Sequence, residues 1–164
     1  MFDLPPPIVP DDTPPTVIES LEKVTPLDRA CLNRVTDRYA VHPLILSVIA
    51  RVEGGQAGIR SENTDDSWDL GLMQINTIHL ETLAQFGLTE AMIQNNDCIN
   101  LGVAAWHVRN VTENQTASNP EGYFRAIARY HSKNEPHITV YTNKLMKAYR
   151  ELVKQYGTRN HGGE

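Results

Sequence analysis

The sequence predicts an all-α domain, and three observations carry that expectation. Apolar residues recur at helical spacing in several separate windows, capping residues and glycines bracket those windows, and no strand-like run appears between them. With 164 residues there is room for one domain of ordinary size plus a tail, so a core can form without staples. Seven of the ten prolines fall in residues 1–26, and the opening MFDLPPPIVPDDTPPT has neither helical period nor strand alternation. Residues 1–24 are therefore expected to be an extended Pro-rich tail or linker, residues 25–157 the domain, and residues 158–164 a disordered end.

Thr25 is the expected N-cap of the first helix, with Pro26 at its first position and Asp28 completing a box-like start. That helix runs to about Tyr39 and buries Leu27, Cys31 and Val35 at four-residue spacing. In residues 41–55, VHPLILSVIARVEGG, Pro43 suits a first helical turn, and Leu44, Ile45, Leu46, Val48, Ile49 and Val52 make the helix apolar nearly all round. Such a helix is buried. Gly54 and Gly55 supply a left-handed stop, which leaves Glu53 in the last turn at the negative end of the helix dipole. Burial and dipole both favour the neutral acid, as a general acid working near neutral pH requires. On this helix alone, a solvated Glu at a frayed end is an equal reading.

Residues 56–70 are polar and without period, and are expected to form a long loop of the kind that lines a cleft. Residues 71–76, GLMQIN, are too apolar for an exposed turn and must be packed. Thr77 caps an expected helix over 78–86 closed by Gly87, and Thr89 caps a shorter one through Ile93. A longer helix starts at Asn96 or Asp97, with Cys98, Leu101, Ala105 and Val108 inward and His107, Arg109 and Asn110 outward. After a loop at 114–119, Pro120 opens a helix containing Phe124, Ile127, Ala128 and Tyr130. A break at 134–136 precedes a last helix to about Tyr156, stopped by Gly157, whose inner face is Ile138, Tyr141, Leu145, Tyr149 and Leu152. The sum is seven or so helices with no internal repeat.

Composition narrows the function classes. Lysine and arginine number 15 against 20 acidic residues, and no stretch sets basic residues beside aromatics, so no nucleic-acid partner is expected. No apolar run approaches the roughly 18 to 20 residues that span a bilayer. The N-terminus lacks a basic segment followed by an apolar one, so an exported protein would already have lost its signal. The six histidines show no metal-ligand spacing, and neither metal nor cofactor is expected. Cys31 and Cys98 each fall on the apolar side of an expected helix; a disulfide and two free buried thiols both satisfy that placement. If paired, they close a loop whose chain-entropy value is roughly 4 kcal/mol.

Three features then coincide in order: the helix ending VEGG, the packed GLMQIN segment about twenty residues later, and a helix ending ARYHS. Together they resemble the lytic transglycosylases of the lysozyme-like superfamily over roughly residues 27–155. The similarity is greatest to the specialised periplasmic enzymes of type IV secretion, conjugation, type IV pilus and invasion systems, in which DLGLMQIN recurs with a helix start similar to DCINLG. The resemblance implies a lysozyme-like fold of the goose-type, soluble-transglycosylase kind, a Cys31–Cys98 disulfide and a periplasmic or exported monomer. Peptidoglycan glycan strands would be its partner, together with components of a secretion or pilus machine. It also implies cleavage of the β-1,4 bond between N-acetylmuramic acid and N-acetylglucosamine with formation of a 1,6-anhydro ring.

By the same resemblance Glu53 is the catalytic acid, residues 71–75 line the cleft, and Tyr130 completes the site. Gln74 carries an amide suited to sugar hydroxyl or acetamido groups, and Met73 offers an apolar wall beside it. Asp65, Asp66 and Asp69 are candidates for a second carboxylate, although loop solvation and capping explain them as well; Asp69, beside the GLMQIN segment, is the one assigned to substrate binding. His131 is expected to be a surface or capping group. The chain departs from the usual Glu-Ser-Gly at Gly54, and from Tyr-Asn-Ala-Gly at His131, Ser132 and Lys133.

Overall fold

In a computed structural model the described residues are 28–113 and 120–159, apart from the side chains of Pro120, Tyr130 and residues 155–159. The Pro-rich tail, Thr25, Pro26, Leu27 and the segments 114–119 and 160–164 lie outside them. Helix α1 (Arg29–Tyr39) begins at Asp28, whose carboxylate accepts a hydrogen bond from the Ala30 amide at 3.1 Å. Helix α2 (Pro43–Glu53) has Pro43 in its first turn and is buried from Pro43 through Ala50, as a helix apolar all round should be. Its N-cap is His42, whose Nδ1 accepts from the Leu44 amide at 3.1 Å. Burial pushes the His42 pKa down to about 4, which keeps that nitrogen free to accept.

The expectation of an all-α domain needs correction in residues 56–76. Three short strands, β1 (Arg60–Glu62), β2 (Trp68–Leu70) and β3 (Ile75–Asn76), form an antiparallel sheet in the order β1-β2-β3. Arg60 faces Leu70 and Glu62 faces Trp68, while Asp69 faces Asn76 and Leu70 faces Ile75. Strands of two or three residues are too short to show alternation, so polarity dominated the sequence pattern. The β1–β2 turn is held by its own polar side chains. Asp65 accepts from the Ser67 amide at 3.1 Å and from its hydroxyl at 2.6 Å, and Asp66 takes a positive φ of 64°.

Helix 78–86 is likewise replaced. A 3₁₀ turn (Thr77–His79) leads into α3 (Leu80–Ala84), and the cap is Asn76 rather than Thr77. The Thr77 hydroxyl instead accepts from the Trp68 amide at 3.0 Å, tying the turn to β2. Helix α4 (Glu90–Asn95) is capped by Thr89 and α5 (Asp97–Thr112) by Asn96. His107 and Arg109, expected outside, are only 7% and 5% exposed. The reason is that α5 packs against α1, α2, α4, α6 and β3, which leaves little of its circumference wet. Helices α6 (Pro120–His131) and α7 (His137–Arg159) pair with each other, and α7 also packs on α2. The backbone of α7 continues through Gly157, which therefore does not stop it. The result is a mostly helical domain with one small sheet, built around α2.

Candidate active site

Glu53 occupies the last turn of α2 and its side chain is 14% exposed. The turn ends there because Gly54 adopts φ 62°, and its amide closes onto the Ala50 carbonyl. The next residue positions the cleft. A Cβ built on Gly55 would lie 2.2 Å from the Gly71 carbonyl oxygen and 2.6 Å from that of Leu72. Only glycine lets the end of α2 and the GLMQIN segment meet backbone to backbone. Gly54, by contrast, has open space around its missing side chain, although its positive φ makes any L-residue there strained.

The GLMQIN segment is anchored from below by Asn100, a fully buried residue on α5. Its Oδ1 accepts from the Met73 amide at 2.7 Å, and its Nδ2 donates to the carbonyls of Leu70 at 2.8 Å and Ile93 at 2.9 Å. Two of these bonds hold the turn, in which Gly71 takes φ 67° and Gln74 φ 53°, and the third ties Asn100 to α4. Met73, expected as a cleft wall, is 4% exposed and belongs to the core. Gln74 lines the cleft, with its amide nitrogen donating to the Gly71 carbonyl at 2.8 Å.

The cleft has a volume of about 500 Å³. One wall is the sheet side with Asp65, Asp69, Gln74 and Asn76, and the facing wall is the α6–α7 junction with His131, Ser132 and His137. Asp69 lines it, and Asp69 Oδ1 accepts from Asn76 Nδ2 at 3.0 Å across the β2–β3 pair. Asp65 is committed to Ser67 and Asp66 to the turn geometry, so of the three loop aspartates Asp69 is the one electrostatically coupled to Glu53.

The hydroxyl that reaches the acid belongs to Tyr141 on α7, which donates to Glu53 Oε1. Tyr130 sits in the last turn of α6, and its side chain lies outside the described residues. The His131 ring stacks on Tyr141 with centroids 4.1 Å apart and planes 9° from parallel, and its Nδ1 approaches Glu53 Oε1 to 3.9 Å. Burial lifts the Glu53 pKa from 4.5 to about 7; the Tyr141 hydrogen bond opposes that rise, the Asp69 charge adds to it and Lys144 opposes it. Near neutral pH the carboxyl is therefore poised between its two forms. Burial also pushes the His131 pKa below its ordinary value.

Sequence reasoning missed Tyr141, His131 and Asn100. Tyr141 is 88 residues from Glu53, with the same apolar-face spacing as its core neighbours, so nothing local distinguishes it. Asn100 carried a signal, since an amide side chain inside the buried stripe of a helix needs partners. Remote from the cleft, Cys31 and Cys98 form a disulfide that joins α1 to α5.

No protein-family model matches the chain. Among characterised proteins it is similar to the invasion protein IagB of Salmonella typhimurium, with 27% identity over 127 residues that cover 74% of this chain and 76% of that protein. The same identity and coverage hold for IagB of Salmonella typhi. Protein IpgF of Shigella flexneri is 32% identical over 76 residues, 46% of this chain and 50% of that protein.

Proposed function

We propose that the chain is a peptidoglycan lytic transglycosylase of lysozyme-like fold that opens murein locally, outside the cytoplasm, for an invasion, secretion or pilus machine. The single observation that carries the reading is the state of Glu53: a shielded carboxyl with a pKa of about 7 beside a polar cleft. The sequence motifs around it and the similarity to an invasion protein support the same reading.

In this reaction one carboxyl does two jobs. Protonated, Glu53 gives its proton to the leaving glycosidic oxygen; ionised, it takes a proton from the C6 hydroxyl of the muramyl sugar, which closes onto C1. A pKa near the working pH serves both halves, because a group far from that pH would be poor at one of them. Hydrolytic glycosidases need a second carboxylate as nucleophile or as base for water. In the proposed reaction the substrate's own N-acetyl group takes that part, and Asp69, held by Asn76, contributes charge to the cleft. Gln74 supplies an amide for sugar hydroxyl or acetamido groups. Tyr141 holds the carboxyl in place through the same Oε1 that His131 approaches.

Replacing Glu53→Gln keeps the shape and removes the exchangeable proton. Clearing of murein in a zymogram is expected to fall by about a hundredfold or more. Clearing that persists at the wild-type level would remove Glu53 from the chemistry. A wild-type protein that binds sacculi without clearing them would make the chain a peptidoglycan-binding assembly protein instead.

A further inference from the structure

We propose that His131 is a positioning residue for Glu53: stacked on Tyr141, it holds the phenol onto the carboxyl and closes the carboxyl's cleft side to water. The inference deepens the proposed role of Glu53 as the acid, and rests on it. His131 is the last residue of α6, and Tyr141 lies in the second turn of α7, so the two rings meet across the 132–136 connection. Near-parallel planes at 4.1 Å give contact over a whole face, which fixes the phenol ring about its own axis. The hydroxyl of that ring is then committed to Glu53 Oε1.

The second part of the role follows from exposure. His131 is 46% exposed and lines the cleft, whereas the Glu53 side chain behind it is 14% exposed. The imidazole lines the cleft and stands 3.9 Å from a carboxyl that does not line it, so it lies between cleft water and Glu53. At 3.9 Å the His131 nitrogen is too far from Oε1 for a direct hydrogen bond, so its effect on the acid is cover and alignment rather than proton exchange.

The charged and titratable groups facing His131 are Asp69 from β2, Lys144 and His137 from α7, and Glu53 from α2. Asp69 favours the imidazolium, while burial, Lys144 and His137 disfavour it and prevail. The balance holds the ring toward its neutral form. This matters for Glu53, because an imidazolium in the same place would pull the carboxyl toward its ionised form.

The test reads the Glu53 carboxyl directly, by carbon NMR titration of protein labelled at glutamate carboxyls, with the Glu53 signal assigned by its loss in Glu53→Gln. It needs no substrate, so it stands apart from the fate of the transglycosylase reading, which sacculus digestion addresses. Wild type is expected to titrate near pH 7. His131→Phe, which retains a stacking ring, should stay within a few tenths of that value. His131→Ala should fall by about one pH unit, because burial, the largest cause of the raised value, outweighs the opposing Tyr141 hydrogen bond that the same substitution loosens. His131→Asn serves as a second variant without the stacked ring and should fall with alanine. Two results overturn the proposal: alanine and asparagine variants that titrate with wild type, or a phenylalanine variant that falls as far as they do.

Discussion

Two adjacent glycines end α2 and do different work. Gly54 has the backbone angle that favours glycine but space for a side chain, so Gly54→Ala should cost about 1 kcal/mol of stability and leave the cleft in place. Gly55 has no such space, because a Cβ would press into the carbonyl oxygens of Gly71 and Leu72. Gly55→Ala should push the GLMQIN segment away from Glu53, lower murein clearing more than tenfold and cost about 3 kcal/mol, in the range of overpacked cores. Denaturant unfolding and a zymogram, run side by side on both variants, measure the contrast. Equal effects at the two positions would mean that the close approach at Gly55 does not set the cleft. Gly54, where the lytic transglycosylases that the sequence resembles usually carry serine, is thus the more tolerant of the two positions.

At the scale of elements, the disulfide joins α1, at the start of the described domain, to α5, which carries Asn100. It closes 67 residues, a span that includes α2, the sheet and the Gly71 turn. The chain-entropy model values that closure at about 4 kcal/mol, so Cys31→Ser with Cys98→Ser should lower unfolding free energy by roughly that amount. A urea titration gives the number, and a loss below 1 kcal/mol would mean that packing of α1 on α5 suffices alone.

Helices were legible in the sequence because their signals are local. The Pro43 start, the Thr89 cap and the apolar run of α2 each lie within one or two turns. The sheet was not legible, since each strand is two or three residues long and its pairing is decided by turns held through Asp65 and Asn100. The cap of the helix expected over 78–86 falls one residue earlier, on Asn76 instead of Thr77, for a related reason: the Thr77 hydroxyl is engaged by the Trp68 amide on β2. His107 and Arg109 were placed outside because their polarity was weighed without the four helices that surround α5.

Over the whole molecule, the candidate site divides in the same way. Glu53 and Gln74 stood out from sequence, each beside a glycine-defined turn. The side chains that meet Glu53, Tyr141 on α7 and His131 at the end of α6, arrive from the far end of the chain and come together only when α7 packs on both α6 and α2. That packing has a cost that varies with pH. Below about pH 4.5 the carboxyl is protonated whether the chain is folded or not. As pH rises from 4.5 to about 7, the folded protein holds a proton that the unfolded chain releases, so stability falls across this window. Above it the loss is complete, at about 3 kcal/mol. His42 and His107 act in the opposite sense, because burial depresses their pKa values to about 4 and 3, and they destabilise the fold as pH drops below 6.5.

The difference between Glu53→Gln and wild type isolates the acid from these histidines. The variant should match wild type at pH 4 and be more stable at pH 8, by up to about 3 kcal/mol. Thermal unfolding at the two pH values measures it, and an equal effect at both would remove the raised pKa.

The central claim is that one carboxyl performs both proton transfers and water takes no part. Mass spectrometry of sacculi digested by the wild-type protein tests it most directly. Glycan fragments ending in 1,6-anhydro-N-acetylmuramic acid are the predicted result; fragments with reducing ends alone would contradict it and make the protein a hydrolytic muramidase.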